Sequence, residues 1–429
     1  MTSTLLIAYH FPPIVGSSGV HRTLQFARYL PEWGWEPVVL TVHPRAYPRA
    51  SVSVLDQVPP RLHVLRAQAW DTARHFSWRG RYLEAMAVPD RWASWWIPGV
   101  VKGLKLIRRH RPAVLWSTFP VATAHLIGVT LQRLTGVPWV ADFRDPMVQP
   151  GLPRSPVAQR SWRWIEAQAV RQAARCCVTT PSTLEDMRSR YPQAPESRWV
   201  LIENGFDEGL FESVRDGQSG ERSLPGGRPL TLLHSGILYA EGRNPIPFLK
   251  AFRVFRDEAP GHVQVVFRAA GGEIDFASVL EDLGLRDAVR VLPAMGYREA
   301  VREMVEADGL LLFQGARFNR QIPAKAYEYI RAGRPVVALI DPEGDTMRML
   351  RGWSYVYPAR IDSEEKILAA LRRWFEDLVT GQRPVRPSSE VNRLSRRART
   401  EQLAAVFDDV TRGPGSRMQR PTGHRLHCY

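Results

Sequence analysis

The sequence predicts an α/β fold made of two tandem, doubly wound domains that face each other across a cleft. Three observations carry that prediction. Short apolar runs alternate with longer amphipathic segments along most of the 429 residues. The runs are continuously apolar, as expected of parallel strands covered on both faces. The alternation breaks once, at ESVRDGQSGERSLPGGRP (212–229), and then restarts. That polar, Gly- and Arg-rich break reads as a linker.

The first series of strands is expected at 4–9, 37–42, 62–66, 113–117, 138–142, 175–179 and 199–202, with helices at 19–33, 98–110, 120–134, 157–174 and 181–190. The second has strands at 230–236, 263–271, 289–293, 309–313, 335–340 and 354–357. Its helices are expected at 245–257, 275–284, 297–306, 321–332, 344–351 and 363–380. Strand–helix alternation implies parallel, Rossmann-like sheets. The divisions are a first domain at 1–210, a linker at 211–229, a second domain at 230–385, a terminal helix at 386–412 that can pack back on the first domain, and a disordered tail at 413–429.

Hydrophobic content of 44% and charged content of 24% are those of a globular protein. No apolar run approaches the roughly 20 residues needed to span a membrane. The first apolar run lacks a basic flank and meets Pro12 and Pro13 at once, so a signal peptide is not expected. The three cysteines, Cys176, Cys177 and Cys428, form neither a disulfide framework nor a zinc spacing. A cytoplasmic location follows. The net charge of +15 is almost all arginine, the lysines being Lys102, Lys105, Lys250, Lys325 and Lys366. Such a balance favours anionic partners, although an arginine-rich coding bias produces it equally. The excess is spread along the chain, so nucleic acid is not an expected partner.

Parallel sheets bind ligands outside the carboxyl ends of their strands, so the loops there hold the candidates. HFPPIVGSSG (10–19) leaves the first strand and enters a helix near Gly19. Gly16 and Gly19 suit a plain turn, or a loop presenting amides to an anion at a helix N-terminus. It is not GxGxxG, which disfavours a nicotinamide cofactor. STFPVATAH (117–125) supplies Ser117 and His125; the histidine suits a general base or a buried helix position. DFRDP (142–146) supplies Asp142, Arg144 and Asp145, which can orient or deprotonate a hydroxyl or form a structural ion pair. LLHSGILYAEGRNP (232–245) places Gly236 and Arg243 where a diphosphate can meet them, or where a turn carries a surface arginine. In FNRQIPAKAYEYIRAGRPVVAL (318–339), Pro323 opens a helix, Lys325 and Glu328 share one face, and Gly333 closes it. That arrangement offers charge to a phosphate and an acceptor to ribose hydroxyls.

Three segments resemble GT-B glycosyltransferases of the large bacterial family 4. They are LLIAYHFPPIVGSSGVHRTLQFARYLPEWGWEPVVLT, WSTFPVATAHLIGVTLQRLTGVPWVADFRDP and IPAKAYEYIRAGRPVVAL, and the likeness covers most of 4–380. The resemblance implies transfer of a sugar from a nucleoside-diphosphate sugar to an acceptor hydroxyl, the second domain binding the donor and the first the acceptor. It further implies retention of anomeric configuration and no metal or other cofactor, because cations and helix termini stabilise the departing diphosphate. By position, Glu328 matches the second glutamate of the family's E-x7-E element, which binds donor ribose. Lys325 and Arg243 match basic positions near the diphosphate, and Gly236 the phosphate-facing glycine. Arg320 stands where the first glutamate would be, a departure that leaves the donor sugar open, and it can instead add positive charge at the diphosphate. Asp345, in DPEGDT (341–346), either faces the donor sugar or belongs to a turn and helix cap. Asp142, Asp145 and His125 are the catalytic candidates, Ser117 and Arg144 the acceptor-side ones.

DRWASWWIPGVVKGLKLIRRHRP (90–112) sets three tryptophans beside a basic helix. It reads as a contact with an anionic membrane surface, where a glycan or lipid-linked acceptor is met, or as a packed helix with a charged outer face. The expected setting is bacterial polysaccharide or glycolipid assembly on the inner face of the cell membrane. Two alternatives use the same fold: a nucleotide-sugar epimerase, and a non-catalytic nucleotide-sugar-binding protein suggested by Arg320.

Overall fold

The computed structural model describes residues 1–16, 19–149, 153, 155–215, 228–259, 262–381 and 388–412. Ser17 and Ser18 of the opening loop, linker residues 216–227 and the expected tail with Cys428 lie outside the described residues.

The first sheet contains β1 (Thr2–Ile7), β2 (Trp35–Val42), β3 (His63–Ala67), β4 (Val114–Thr118), β5 (Trp139–Phe143), β6 (Arg175–Val178) and β7 (Trp199–Leu201). The second contains β8 (Leu230–Ser235), β9 (Val263–Arg268), β10 (Val289–Leu292), β11 (Gly309–Gln314), β12 (Val336–Ile340) and β13 (Val356–Arg360). Every run expected as a strand is one. The orders are β3-β2-β1-β4-β5-β6-β7 and β10-β9-β8-β11-β12-β13, with parallel pairing throughout. In each sheet the order reverses once, between β1 and β4 and between β8 and β11, which opens a crevice at the carboxyl ends of those strands.

The continuous apolar runs have the cause the sequence implies. Leu5 and Ile7 enter one core while Leu6 and Ala8 enter the core on the opposite face. In the second sheet Leu311 and Phe313 face one core, and Leu310 and Leu312 the other. Local chemistry sets the element ends. Thr180 Oγ1 accepts from the Thr183 amide to cap helix Pro181–Arg190. Gly333, at φ 61°, closes helix Ala324–Ala332.

Four boundaries differ from expectation. The helix expected over 19–33 runs Gly19–Tyr29 and tightens into a 3-10 turn at Leu30–Trp33, because Pro31 has no amide to continue the ladder. Pro323 is the extended residue before its helix rather than the first helical one. The segment expected as one terminal helix is two, Ser388–Arg393 and Arg396–Thr411, with Ser395 capping the second. The polar linker begins inside helix Glu208–Arg215, whose Phe211 and Val214 are buried in the second domain's core.

The terminal helix lies on the first sheet's side. Leu403 and Phe407 join the core that holds Leu24 and Trp35, and Trp35 Nε1 donates to Asp408 Oδ1 at 3.0 Å.

Candidate functional site

Where the two crevices face each other lies a cavity of about 490 Å³. The first half lines it with Gly16, His21, Arg22, Arg144, Asp145 and Asn204. The second half contributes Ser235, Arg243, Tyr297, Gln321, Lys325 and Glu328, and the terminal segment adds Arg396. Five cationic side chains thus meet two carboxylates, Asp145 and Glu328.

Against Lys325, on the second half's side, lies Gly236. This residue has φ 127°, and a Cβ there would collide with Lys325 Nζ. Only glycine fits both the backbone and the lysine. The His234 ring sits between the carbonyl oxygens of Leu311, at 2.7 Å, and Gly236, at 2.9 Å, tying the glycine loop to β11. The Ser235 amide donates to Tyr329 Oη at 3.1 Å. Lys325, half-buried in the first turn of its helix, makes no hydrogen bond or ion pair among the described residues. Burial and then the neighbouring Arg243 push it down to about 7, with Glu328 opposing. Arg243 donates from Nε and Nη2 to Gln314 Oε1, at 3.2 and 3.0 Å, and lies 4.8 Å over the Phe318 ring. Glu328, only 6% exposed, accepts from Tyr297 Oη at 2.6 Å.

On the facing wall, Gly16 has φ 79°, and a side chain at Gly19 would strike Arg144 and His10. Arg144 Nε is 3.7 Å from Asp145 Oδ2. His21 packs against the Tyr297 ring at 4.4 Å. Burial first, then Arg396 and Arg144, push that histidine down to about 3, so it is neutral. Arg396 is buried, and its Nη1 has no hydrogen-bond partner among the described residues. A buried donor without a partner is costly, and an anion in the cavity would supply one.

Residues 18–205 match the family model described as glycosyl transferase 4-like domain. Sucrose-phosphate synthase from Thermosynechococcus elongatus superposes with a TM-score of 0.63 at 14% identity, covering 96% of this chain and 99% of that one. Anabaena HepE in complex with UDP gives 0.65 at 15% identity, over 95% and 100% of the two chains. UDP-GlcNAc 2-epimerase from Methanocaldococcus jannaschii gives 0.56 at 11%, over 95% and 100%. The chain has the GT-B fold, and its first half is similar to a glycosyltransferase 4-like domain. No curated protein matches it in sequence.

In this GT-B chain the cavity brings together Gly16, Arg144, Asp145, Arg243, Lys325 and Glu328, with Gly236 against Lys325 and Gly19 just behind Arg144. Five expected site residues lie elsewhere. His125 is fully buried; its Nδ1 is 2.8 Å from Ser117 Oγ, which also accepts from Trp139 Nε1 at 2.8 Å. Burial pushes this histidine down to about 4. Ser117 and His125 are therefore a polar knot in the core, out of reach of a substrate. Asp142 is buried with both oxygens occupied: Arg22 donates at 2.7 and 3.0 Å and Thr118 Oγ1 at 2.8 Å. It does not line the cavity and instead fixes Arg22, which does.

Arg320 turns out of the cavity. Its Nη1 pairs with Asp186 Oδ1 of the first half at 2.8 Å. Asp345, in contrast, is fully buried, and it accepts from Ser182 Oγ at 2.9 Å and the Ser182 amide at 3.1 Å. Both therefore latch the two halves rather than line the donor wall. The tryptophans of 90–112 divide as well. Trp95 is fully buried and Trp92 Nε1 donates to the Ala46 carbonyl at 3.1 Å, so only Trp96 is exposed.

Sequence reasoning missed Tyr297, His21, Arg22, Asn204 and Arg396. Tyr297 follows β10 in AMGYREA, so the rule of searching loops after strands would have reached it. Arg396 carries no local signal, because only the chain's return to the cleft brings it there. Among the described residues no group of three or more His, Cys, Asp or Glu could hold a metal ion. Among them, too, no helix is long and apolar enough to cross a membrane.

Proposed function

We propose that this chain transfers a sugar from a nucleoside-diphosphate sugar to an acceptor hydroxyl. The observation that carries the reading is the unpaired Lys325 ammonium against Gly236, one helical turn from Glu328, in a cleft with an excess of cations. Lys325, Arg243 and Arg396 meet the diphosphate, and Gly236 lets an oxygen approach the backbone. Glu328, held by Tyr297, accepts from the ribose hydroxyls. Gly16 and the helix start at Gly19 form the opposite wall. The acceptor oxygen bonds to the anomeric carbon as the carbon–diphosphate bond breaks. Asp145 takes the hydroxyl proton, and Arg144 holds Asp145 in place.

Retention of configuration, independence of metal, and a place in polysaccharide or glycolipid assembly complete the proposal. So do a cytoplasmic location, a glycan or lipid-linked acceptor and contact of 90–112 with an anionic membrane. The likeness to HepE, solved with UDP, supports a uridine donor. The likeness to UDP-GlcNAc 2-epimerases supports a second reading, epimerisation without an acceptor.

A panel of nucleotides and nucleotide sugars read by thermal shift tests the reading, because a ligand that binds only the folded state raises its apparent stability. At a concentration 100 times its dissociation constant the gain is about 2.7 kcal/mol. Release of nucleoside diphosphate only when an acceptor is added supports transfer. Conversion of UDP-GlcNAc without acceptor supports epimerisation. Binding without either reaction leaves a nucleotide-sugar-binding protein.

A further inference from the structure

An unexplained surface feature lies far along the chain from the cleft residues, in the connection after helix Thr72–His75. Within eleven residues it exposes Phe76, Trp78, Tyr82, Leu83 and Met86, with Trp78 and Leu83 at 78% and 73%. A buried core explains none of them, and so dense a run of exposed apolar side chains marks an interaction site.

The segment is built to present these groups. Trp78 and Arg81 exchange backbone hydrogen bonds, at 2.7 and 3.0 Å, around a two-residue turn. Arg79 and Gly80 occupy that turn with φ of 51° and 77°. Positive φ at both central residues is what a type I′ hairpin requires, and for an arginine it is an uncommon conformation. The turn sets two guanidinium groups at the tip between Trp78 and Tyr82. Neither Arg79 nor Arg81 has a side-chain hydrogen bond or ion pair among the described residues. The acid of the segment, Glu84, is engaged by Ser155.

The apolar surface continues. Val88 and Pro89 follow the hairpin and line a groove of about 520 Å³ with Trp96, Leu134 and Trp164. Trp96 opens helix Trp96–His110, which exposes Ile97 and Val101 and carries Lys102, Lys105, Arg108 and Arg109.

We propose that the hairpin Phe76–Met86, with the exposed start of helix Trp96–His110, docks this chain on an anionic lipid surface. Tryptophan and tyrosine favour the headgroup level, leucine and methionine the acyl boundary, and unpaired arginines the lipid phosphates. The charge complementarity commits the surface to a membrane rather than to a second copy of the same chain, which would set Arg79 and Arg81 against like charge. The inference extends the membrane-facing part of the proposed function and rests on it only for the lipid-linked acceptor. Vesicle binding is therefore measured without donor or acceptor, so that each can fail alone.

The test is co-sedimentation of the full chain with phosphatidylglycerol-containing and pure phosphatidylcholine vesicles. Binding to the anionic vesicles is expected, weaker in high salt, and at least about tenfold weaker in the Trp78→Ser, Leu83→Ser double variant. Arg79→Gln with Arg81→Gln is expected to remove most of the salt dependence. Both variants keep the parent melting temperature, since the altered side chains are exposed. No binding to anionic vesicles, or binding that the variants leave unchanged, overturns the proposal. Self-association that the Trp78→Ser, Leu83→Ser variant abolishes, without vesicle binding, also overturns it and assigns the surface to a second copy.

Discussion

Tyr297 Oη donates a 2.6 Å hydrogen bond to Glu328 Oε1, and the same tyrosine ring packs on His21 from the other half of the molecule. The carboxylate proposed to meet the donor ribose is thus positioned by a residue that also touches the facing wall. Donor binding and approach of the two halves share one side chain.

That arrangement predicts the effect of Tyr297→Phe. The ring and its packing on His21 survive, while Glu328 loses a hydrogen bond worth about 1.5–3 kcal/mol for a charged acceptor. UDP affinity measured by calorimetry is expected to fall roughly tenfold or more, with the melting temperature within a few degrees of the parent. Unchanged affinity would show that Glu328 needs no positioning.

Lys325 predicts a pH dependence. Burial pushes it down to about 7, so the free protein loses this charge as pH rises through 7. A bound diphosphate favours the ammonium, so binding takes up a proton above that pH. UDP affinity is expected to fall between pH 7 and 9, by at most about tenfold per unit, and Lys325→Met is expected to flatten the slope. The linked stability effect has the opposite sign. An unfolded lysine titrates near pH 10.4, so the unfolded chain binds more protons from 7 upward. The cost of the buried ammonium is present in full below pH 7 and is relieved as pH rises towards 10. Denaturation of the ligand-free protein at several pH values checks that direction.

Asp142 separates a structural role from a catalytic one. Asp142→Asn leaves the buried Arg22 without its counter-charge, a change that costs about 3–5 kcal/mol when a buried pair is broken. Denaturant unfolding is expected to show that loss. Normal stability with abolished transfer would instead return Asp142 to the catalytic set.

Gly236→Ala tests the glycine wall. The added Cβ meets Lys325 Nζ at a backbone angle of 127° that alanine rarely adopts. A stability loss of about 1–3 kcal/mol is expected, together with weaker UDP binding. A neutral outcome in both would mean that the loop is an ordinary turn.

The fold was legible because its signal is redundant. Each parallel strand buries both faces, so each reads as an unbroken apolar run, and Leu5 to Ala8 or Leu310 to Phe313 need no tertiary context to be recognised. The cleft-facing loops were legible by the same logic, since a parallel sheet dictates where its ligands sit. Charged groups were harder, because sequence cannot tell a carboxylate that faces a cavity from one that holds another residue. Asp142 and Asp145 stand three residues apart in DFRDP, yet one fixes Arg22 and the other lines the cavity. Asp345 and Arg320 were placed near the donor by local position, but their partners, Ser182 and Asp186, lie more than 130 residues away. His125 was ambiguous for a related reason, since its strand-end position and its burial against Phe143 are independent facts.

The central claim is that the cleft between the two halves holds a nucleoside diphosphate through Lys325 and Glu328. Calorimetric titration of UDP at pH 7 into the parent protein and into Glu328→Ala tests it most directly. The account predicts one site per chain in the parent and at least about a tenfold weaker site in the variant, both ligand-free proteins melting cooperatively within several degrees of each other. Equal affinity in the two proteins would contradict it.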